Sequence, residues 1–511
     1  MYVLRHKLKP STNDIFIIEK RFHLIAKVHN NLVFYAKKHL RMLKRDSVYR
    51  EALKAYVAAK EAADDSAKKI AAKLLQERIA FYALTKTALE KYVSVDQKKY
   101  SRHLSSHQCQ AEAARVLKGI EAVLYGNGKD VHYKKFEDFN TISCKCPTNG
   151  IRIYDAIHTD FLPKTMERPN FECIEWLGLI IPVKIDWNDP YILEGMDNQD
   201  VSYCEIERLA FNDGYHYYVN VYFKGTAPKK RTPPSKGTMG IDPGVSTIAA
   251  TSDSTVFLEE LAPRCKDYNK RIARLQQQID VSTRMSNPGN YNPDGTCKKG
   301  RYKWKYTKAC LCKKQAVKVL YRKKSAYIRQ SHQELANRLI MAASVFKVEE
   351  MSFKALQKRS KKTERQDNVS IDKDKRDNIR QVRKFKKKKR FGKSLNDRAP
   401  AELLNILKMK CVQYGLRYTE IHTSQFKASQ YNHVTDEYDK CPLDQRSKVI
   451  DGHEVQRDLY SSFLIQHANQ DGTYPNREQC IIDFPKFLKL HNEQLEKMKR
   501  SNISMKQCFG F

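Results

Sequence analysis

A chain of 511 residues, 41% of them hydrophobic, can bury a large core and is not a disordered, tail-like protein. Its 94 Lys and Arg leave a formal net charge of +36 spread along the whole length; self-repulsion on that scale calls for a polyanion, and nucleic acid is the natural one because each neutralised phosphate also releases counterions. No segment approaches 18 consecutive apolar residues and the N-terminus lacks an apolar signal-like run, so no membrane partner is expected and the expected compartment is the cytoplasm.

The opening segment alternates Tyr2, Leu4, His6, Leu8 and stops at Pro10, which predicts a strand closed by a turn. From about Asn13 to Glu121, Ala, Leu, Lys and Glu dominate, apolar residues recur at three and four, and several packed helices are expected. After Gly126, β-rich runs such as CIEWLGLIIPVKIDW and YHYYVNVYFKG between turn residues predict an antiparallel sheet or small barrel. The basic, proline-containing stretch at 227–237 marks a domain boundary.

From Thr238 the text predicts a strand, a tight turn at Pro243-Gly244 and a second strand ending near Ser252, with Asp242 in that hairpin. A basic helical stretch over 264–344, broken by NPGNYNPDGT, leads to a buried strand, SVFKVEEM. The basic segment from Lys358 through RKFKKKKRFGKS is expected to be a mobile loop. A helix follows, with Asn396 or Asp397 as cap, Pro400 in its first turn and Gly415 at its end. Next come a strand, LRYTEIHT, and a helix, VQRDLYSSFLIQHA, with Asp458 near its start; the last forty residues read as a helical appendix. The thirteen cysteines, odd in number, are expected to be packed thiols; one residue is too few between Cys144 and Cys146, or Cys310 and Cys312, for a zinc knuckle.

Asp242 in a hairpin, Glu349 at a strand end and Asp458 at a helix start are a set of carboxylates that can converge on one cleft. Hard divalent ions want oxygen ligands, and two of them about 3.5–4 Å apart can activate a water and stabilise the leaving oxygen of a phosphodiester. Asp242, Glu349 and Asp458 are therefore the candidate catalytic and metal-binding residues, with Mg²⁺ or Mn²⁺ as cofactor. Lys386, Lys387, Lys388, Lys389 and Arg390, bracketed by Phe385 and Phe391, are expected to contact phosphate, with stacking on the rings, and Arg457 joins this nucleic-acid-binding set.

GIDPGVSTIAA resembles the first RuvC motif of TnpB, the transposon-encoded RNA-guided nuclease family ancestral to type V CRISPR effectors. VFKVEEM is similar to the second motif, with Glu349 in the catalytic slot, Glu350 beside it and Met351 in the apolar slot. TEIHTSQ resembles the strand and Thr-Ser that enter the family's zinc ribbon, and QRDLYSSFL resembles the third motif, Arg-Asp and small residues on a helix. The resemblance implies a multidomain α+β chain. Its parts would be a β-barrel-like wedge (1–12 and 127–236), an inserted helical recognition domain (13–126) and an RNase H-like (RuvC) α/β nuclease domain (237–470), followed by the appendix (471–511). It implies guide RNA and target double-stranded DNA as partners in a prokaryotic, nucleoid-associated setting. Between the Thr-Ser and the Arg-Asp the family places two CxxC pairs; here only Cys441 occurs, so region 424–456 is expected to be a degenerate ribbon and no zinc is expected, even counting His433 and His453. A miniature type V CRISPR effector using a crRNA is the alternative, then a nuclease-inactive RNA-guided repressor or a guide-free transposase.

Overall fold

The computed structural model describes all residues except 127, 147–148, 155–171, 198–199, 230–233, 358–364, 374–378, 386–390, 441, 443–444, 502–508 and 510–511. It divides into two compact units, Met1–Pro228 and Lys229–Phe511.

In the first unit, strand β1 (Tyr2–Leu8) precedes five helices, α1 (Thr12–Arg45), α2 (Ser47–Glu61), α3 (Asp65–Phe81), α4 (Lys86–Lys99) and α5 (Ser106–Leu124). Then come β2 (Thr141–Ser143), β3 (Ile151–Tyr154), β4 (Cys173–Trp176), β5 (Leu179–Lys184), α6 (Pro190–Met196), β6 (Val201–Phe211) and β7 (Gly214–Phe223). The strands form one antiparallel sheet in the order β2-β6-β7-β1-β5-β4-β3. The alternation legible in the first eight residues is what seats β1 in its middle: Tyr2, Leu4, His6 and Leu8 are buried and their neighbours are not. Ser11 starts α1 with a capping box, its hydroxyl accepting from the Asp14 N–H while the Asp14 carboxylate accepts from the Ser11 N–H. Arg208 locks helix to sheet: fully buried, it donates to the carbonyls of Phe139 and Phe136, pairs with Glu19 and lies between Phe22, Phe136 and Tyr215.

The second unit opens with β8 (Thr238–Pro243), β9 (Thr247–Ser252) and β10 (Val256–Glu260) and continues through a helical hairpin, α7 (Cys265–Ser286) and α8 (Lys308–Ala342). After β11 (Val345–Glu349) come α9 (Phe353–Gln357), β12 (Arg365–Lys373), β13 (Ile379–Phe385), α10 (Gly392–Arg398), α11 (Pro400–Tyr414), β14 (Arg417–Ile421) and α12 (Thr423–Phe426). Four short strands follow, β15 (Tyr431–Asn432), β16 (Glu437–Tyr438), β17 (Ser447–Ile450) and β18 (His453–Gln456), then α13 (Arg457–Gln466) and α14 (Arg477–Arg500).

The central sheet runs β10-β9-β8-β11-β14; the first three strands are an antiparallel meander, and β11 is parallel to both β8 and β14. Period-two alternation sorts its side chains into two cores. Met239, Ile241, Ile248, Phe346 and Val348 meet Leu335, Leu339 and Ile340 of α8 and Leu403 and Leu407 of α11. On the other face Ala249 and Leu258 meet Leu459, Phe463 and Leu464 of α13 and Phe484 and Phe487 of α14. The layers are thus helix, sheet, helix.

Three expectations change. The segment read as a mobile loop contains the β12–β13 hairpin, paired antiparallel from Arg365–Phe385 to Lys373–Ile379; β-branched Val369, Ile371, Ile379 and Val382 suit strands, a signal hidden under the lysines. Asn396 and Asp397 lie inside α10 and do not cap α11: Ala399, in the left-handed region at φ 46°, separates the two helices, Pro400 is the first residue of α11, and Gly415 ends it at φ 69°. Asp397 instead accepts from the buried Lys324 and from Asn269. The C-terminal helix is part of the core, because Phe484 and Phe487 pack on Phe463 and the buried His491 Nε2 accepts the Gln456 N–H at 2.8 Å. Among the described residues no helix is long and apolar enough to cross a membrane, and the described cysteines are free thiols.

Candidate active site

Strands β8, β11 and β14 are parallel, so their C-terminal ends share one edge of the sheet, the usual place for a site in an open α/β sheet. Asp242 stands at that end of β8, immediately before the turn in which the Gly244 N–H donates to the Thr247 carbonyl. The register pairs Val348 with Ile241, which sets Glu349 next to Asp242, and pairs Glu349 with Ile421 at the end of β14.

Alternation then decides which face the acids occupy. Met239 and Ile241 point into the core against α8 and α11, so Gly240 and Asp242 face α13. Gly240 lets the helix come down onto the strand: a Cβ there would lie 2.1 Å from the Ser462 carbonyl oxygen and 2.2 Å from the Gln466 nitrogen. Opposite Gly240 on β9, the Thr251 hydroxyl meets the Ser462 hydroxyl at 2.6 Å. At the far end of α13, Lys347 on β11 donates to the carbonyls of Gln466 and Ala468, and it shares a strand face with Glu349. The small residues of α13 and the glycine of β8 thus fix where the helix starts. Its first turn is capped by Gln456, whose side chain accepts the Leu459 N–H at 2.7 Å, and Asp458 lies in that turn, where the helix dipole favours a negative charge.

The three carboxyls are half-buried. Burial, then the charges of Glu349 and Asp458, push the Asp242 carboxyl well above the usual range, with Arg457 pulling the other way. Burial also raises Glu349, against the lowering effect of hydrogen bonds from Asp242 and Thr423. The side-chain contact between the two acids acts in opposite directions, raising Asp242 and lowering Glu349. Asp458 is held by cations, Arg457 at 3.0 Å and Arg446 at 3.5 Å. Among the described residues no three Asp, Glu, His or Cys side chains stand ready-made as a metal-ligand set. The donor chemistry nonetheless fits a hard divalent cation, because neighbouring carboxyls raised by burial and by one another's charge are relieved of that repulsion by positive charge.

Of the two adjacent glutamates, Glu349 meets Asp242; Glu350 turns to the opposite side, with its side chain 54% exposed and paired with His422 at 2.6 Å. Arg457 is turned inward, donating to the carbonyls of Gln445 and Pro442 as well as to Asp458. Lys386 to Arg390 lie outside the described residues, as does Cys441. In the expected ribbon region, β15–β16 and β17–β18 are small hairpins; His433 is buried against Tyr460, Phe463 and Phe484 with its Nδ1 2.8 Å from the Tyr460 hydroxyl, and His453 is exposed.

Sequence reasoning missed Thr423, Arg446 and Gly240 as members of the site. Thr423 stood inside a quoted motif, its hydroxyl in reach of the Glu349 carboxylate and the Glu350 carbonyl. Gly240 carried the signal of a glycine inside a strand, which marks close backbone approach. Arg446 had no signal.

No family model matches the sequence, and no curated protein does. Among the solved structures that align with it are two that are each 11% identical. One is a cryo-EM structure of a Cas12f1–sgRNA–target DNA complex, with 88% of this chain and 82% of that chain covered at a TM-score of 0.42. The other is a cryo-EM structure of a CRISPR–Cas12f ternary complex, with 91% and 99% covered at 0.23. At these values neither carries an argument about fold or chemistry.

Proposed function

We propose that this chain is an RNA-guided DNA endonuclease of the TnpB type, hydrolysing phosphodiester bonds at Asp242, Glu349 and Asp458 in an RNase H-like domain. The observation that carries the reading is the placement of Asp242 and Glu349 side by side on neighbouring parallel strands, with Asp458 in the first turn of a helix that Gly240 admits onto the same face. Three acids drawn from strand ends and a helix start, inside a chain of +36, suit a polyanionic substrate and a bound cation. Asp242, Glu349 and Asp458 would hold Mg²⁺ or Mn²⁺, which when bound supplies Lewis acidity for the attacking water and the leaving oxygen.

The chain's own residues prepare that site. The raised carboxyls of Asp242 and Glu349 would ionise more readily beside a bound cation. Thr423 orients Glu349, and Arg457 and Arg446 pair with Asp458 and aim it from the start of α13. Sequence reading falls to the guide by base pairing, and the protein contacts backbone and duplex shape.

The test is to purify the protein, sequence the RNA that accompanies it, and assay cleavage of a matched plasmid with Mg²⁺ for wild type and Asp242→Ala. Defined RNA with cutting lost only in the variant supports the proposal, and flanking repeats in that RNA would mark the CRISPR alternative. Unchanged cutting in Asp242→Ala overturns the site; the absence of a defined RNA overturns the guide.

A further inference from the structure

The helical hairpin of α7 and α8 ends in a loop, residues 287–307, that the nuclease reading does not use. Its last limb reads Arg301-Tyr302-Lys303-Trp304-Lys305-Tyr306, cations and aromatics in strict alternation, and the chain carries no Asp or Glu from Gly295 to Gln333. All six side chains are exposed; the rings keep 39%, 37% and 38% of their surface in solvent. Three large aromatics side by side outside any core form an exposed patch that a monomer has no folding reason to keep.

A cationic loop is usually a solvated, loosely ordered surface, but this one is built. Asn287, nearly buried, donates from Nδ2 to the carbonyls of Thr283 and Lys305 at 2.8 Å each and accepts the Lys305 N–H at 2.7 Å. Asn290 donates to the Lys303 carbonyl at 3.1 Å and accepts the Lys298 N–H at 3.0 Å. The alternating limb is thereby pinned through the carbonyls of residues 303 and 305. The rings are braced in turn: Trp304 meets Tyr291 edge to face at 5.8 Å, the Arg284 guanidinium lies over Tyr291 at 4.7 Å, and Lys314 caps Tyr306. Beside the limb runs a groove of about 620 Å³ with the exposed apolar Val281 and Met285 and with Arg274, Lys313 and Thr307 along it.

We propose that this loop is a binding platform for unpaired nucleotides, stacking bases on Trp304, Tyr302 and Tyr306 and taking the intervening phosphates on Arg301, Lys303 and Lys305. Stacking faces alternating with point charges match the repeat of a single strand, in which bases and phosphates alternate, and they do not match a duplex, whose bases are covered. The bracing by Asn287 and Asn290 orders the platform before binding and so removes part of the entropic cost. The site lies outside the carboxylate cluster, and its binding does not depend on cutting.

The test uses the full chain in EDTA, so that hydrolysis plays no part, with labelled single-stranded RNA and single-stranded DNA of about 12 nucleotides and the duplex of the same sequence. Trp304→Ala, at an exposed position that spares the core, should weaken single-strand binding roughly 5- to 100-fold and duplex binding far less. Trp304→Phe should retain most of the affinity, because a ring remains. Trp304 fluorescence should be quenched on binding, since the other tryptophans, Trp176 and Trp187, lie in the first unit, the former fully buried. Unchanged single-strand affinity in Trp304→Ala overturns the proposal. So does a loss equal for duplex and single strand, or Trp304→Phe as damaging as alanine, or displacement of the single strand by polyglutamate with the same dependence on Trp304, which would make the loop a general polyanion surface. A larger effect on RNA assigns the platform to the guide and a larger effect on DNA to a displaced strand; that assignment, unlike the binding, rests on the guided-nuclease reading.

Discussion

Gly240→Ala should damage both stability and cleavage, although it adds one methyl group and touches no acid. The new Cβ would lie 2.1 Å from the Ser462 oxygen, 2.2 Å from the Gln466 nitrogen and 2.8 Å from the Gln466 Cα, all backbone atoms that cannot swing aside. Relief to even the tightest tolerated contact of about 3.0 Å requires α13 to retreat by about 0.9 Å, and overpacking of this kind costs about 1–3 kcal/mol. The retreat also strains the buried Thr251–Ser462 hydrogen bond, which adds about 1 kcal/mol. At roughly 2–4 °C per kcal/mol for a unit of this size, melting should fall by on the order of 5–15 °C. Asp458 rides on the same helix, and a misplacement near 1 Å can cost about 10²-fold in rate. Circular dichroism on heating and plasmid cleavage by the guide-loaded protein read the two effects. Gly392→Ala, where a Cβ meets nothing within 4 Å and φ is not positive, is the control and should leave both unchanged. A Gly240→Ala protein that melts and cuts like wild type would refute the argument that this glycine sets the helix on the strand.

Asp242→Asn should lower cleavage by about 10³-fold or more and, at alkaline pH where the Asp242 carboxyl is ionised, raise the melting temperature of the metal-free protein, since it there removes a half-buried charge that repels Glu349 and Asp458; a drop in melting temperature at that pH would contradict the electrostatics. The pH dependence follows from the same pair. Both folded carboxyls titrate above their unfolded values, so their contribution to stability is full at acid pH and is lost as pH rises through the folded values. Denaturant titrations across pH should show this slope in wild type and a weaker one in Asp242→Asn, and Mg²⁺ should restore wild-type stability at the alkaline end. Glu349→Gln should abolish cutting while Glu350→Gln, which loses only the exposed contact to His422, leaves it within a few-fold; equal losses would show that the strand register has been misjudged. His491→Ala should cost about 1–3 kcal/mol by stranding the buried Gln456 N–H, and should slow cleavage as well, because that residue caps the helix bearing Asp458.

Local pattern carried much of this protein. The alternation of Tyr2, Leu4, His6 and Leu8 announced β1, the turn after Asp242 announced the β8–β9 hairpin, and Gly415 announced the end of α11. These signals survive because periodicities of 2 and 3.6 and the φ demands of turns act within a few residues. Where the charge density masked the pattern, as over the β12–β13 hairpin, they were lost.

What the tertiary structure alone decided is which groups meet. Only the motif resemblance separates Glu349 from Glu350 within a window of sequence; the physical distinction is the parallel register of β11 on β8, since one residue of shift moves every side chain to the other face. Nor can a window find Thr423 or Arg446, or show that the C-terminal helix holds the cap of α13, because each relation joins separate elements and exists only in the folded chain. The acids themselves were legible one at a time; the raising of their carboxyls is a property of burial and proximity, which only the folded chain supplies.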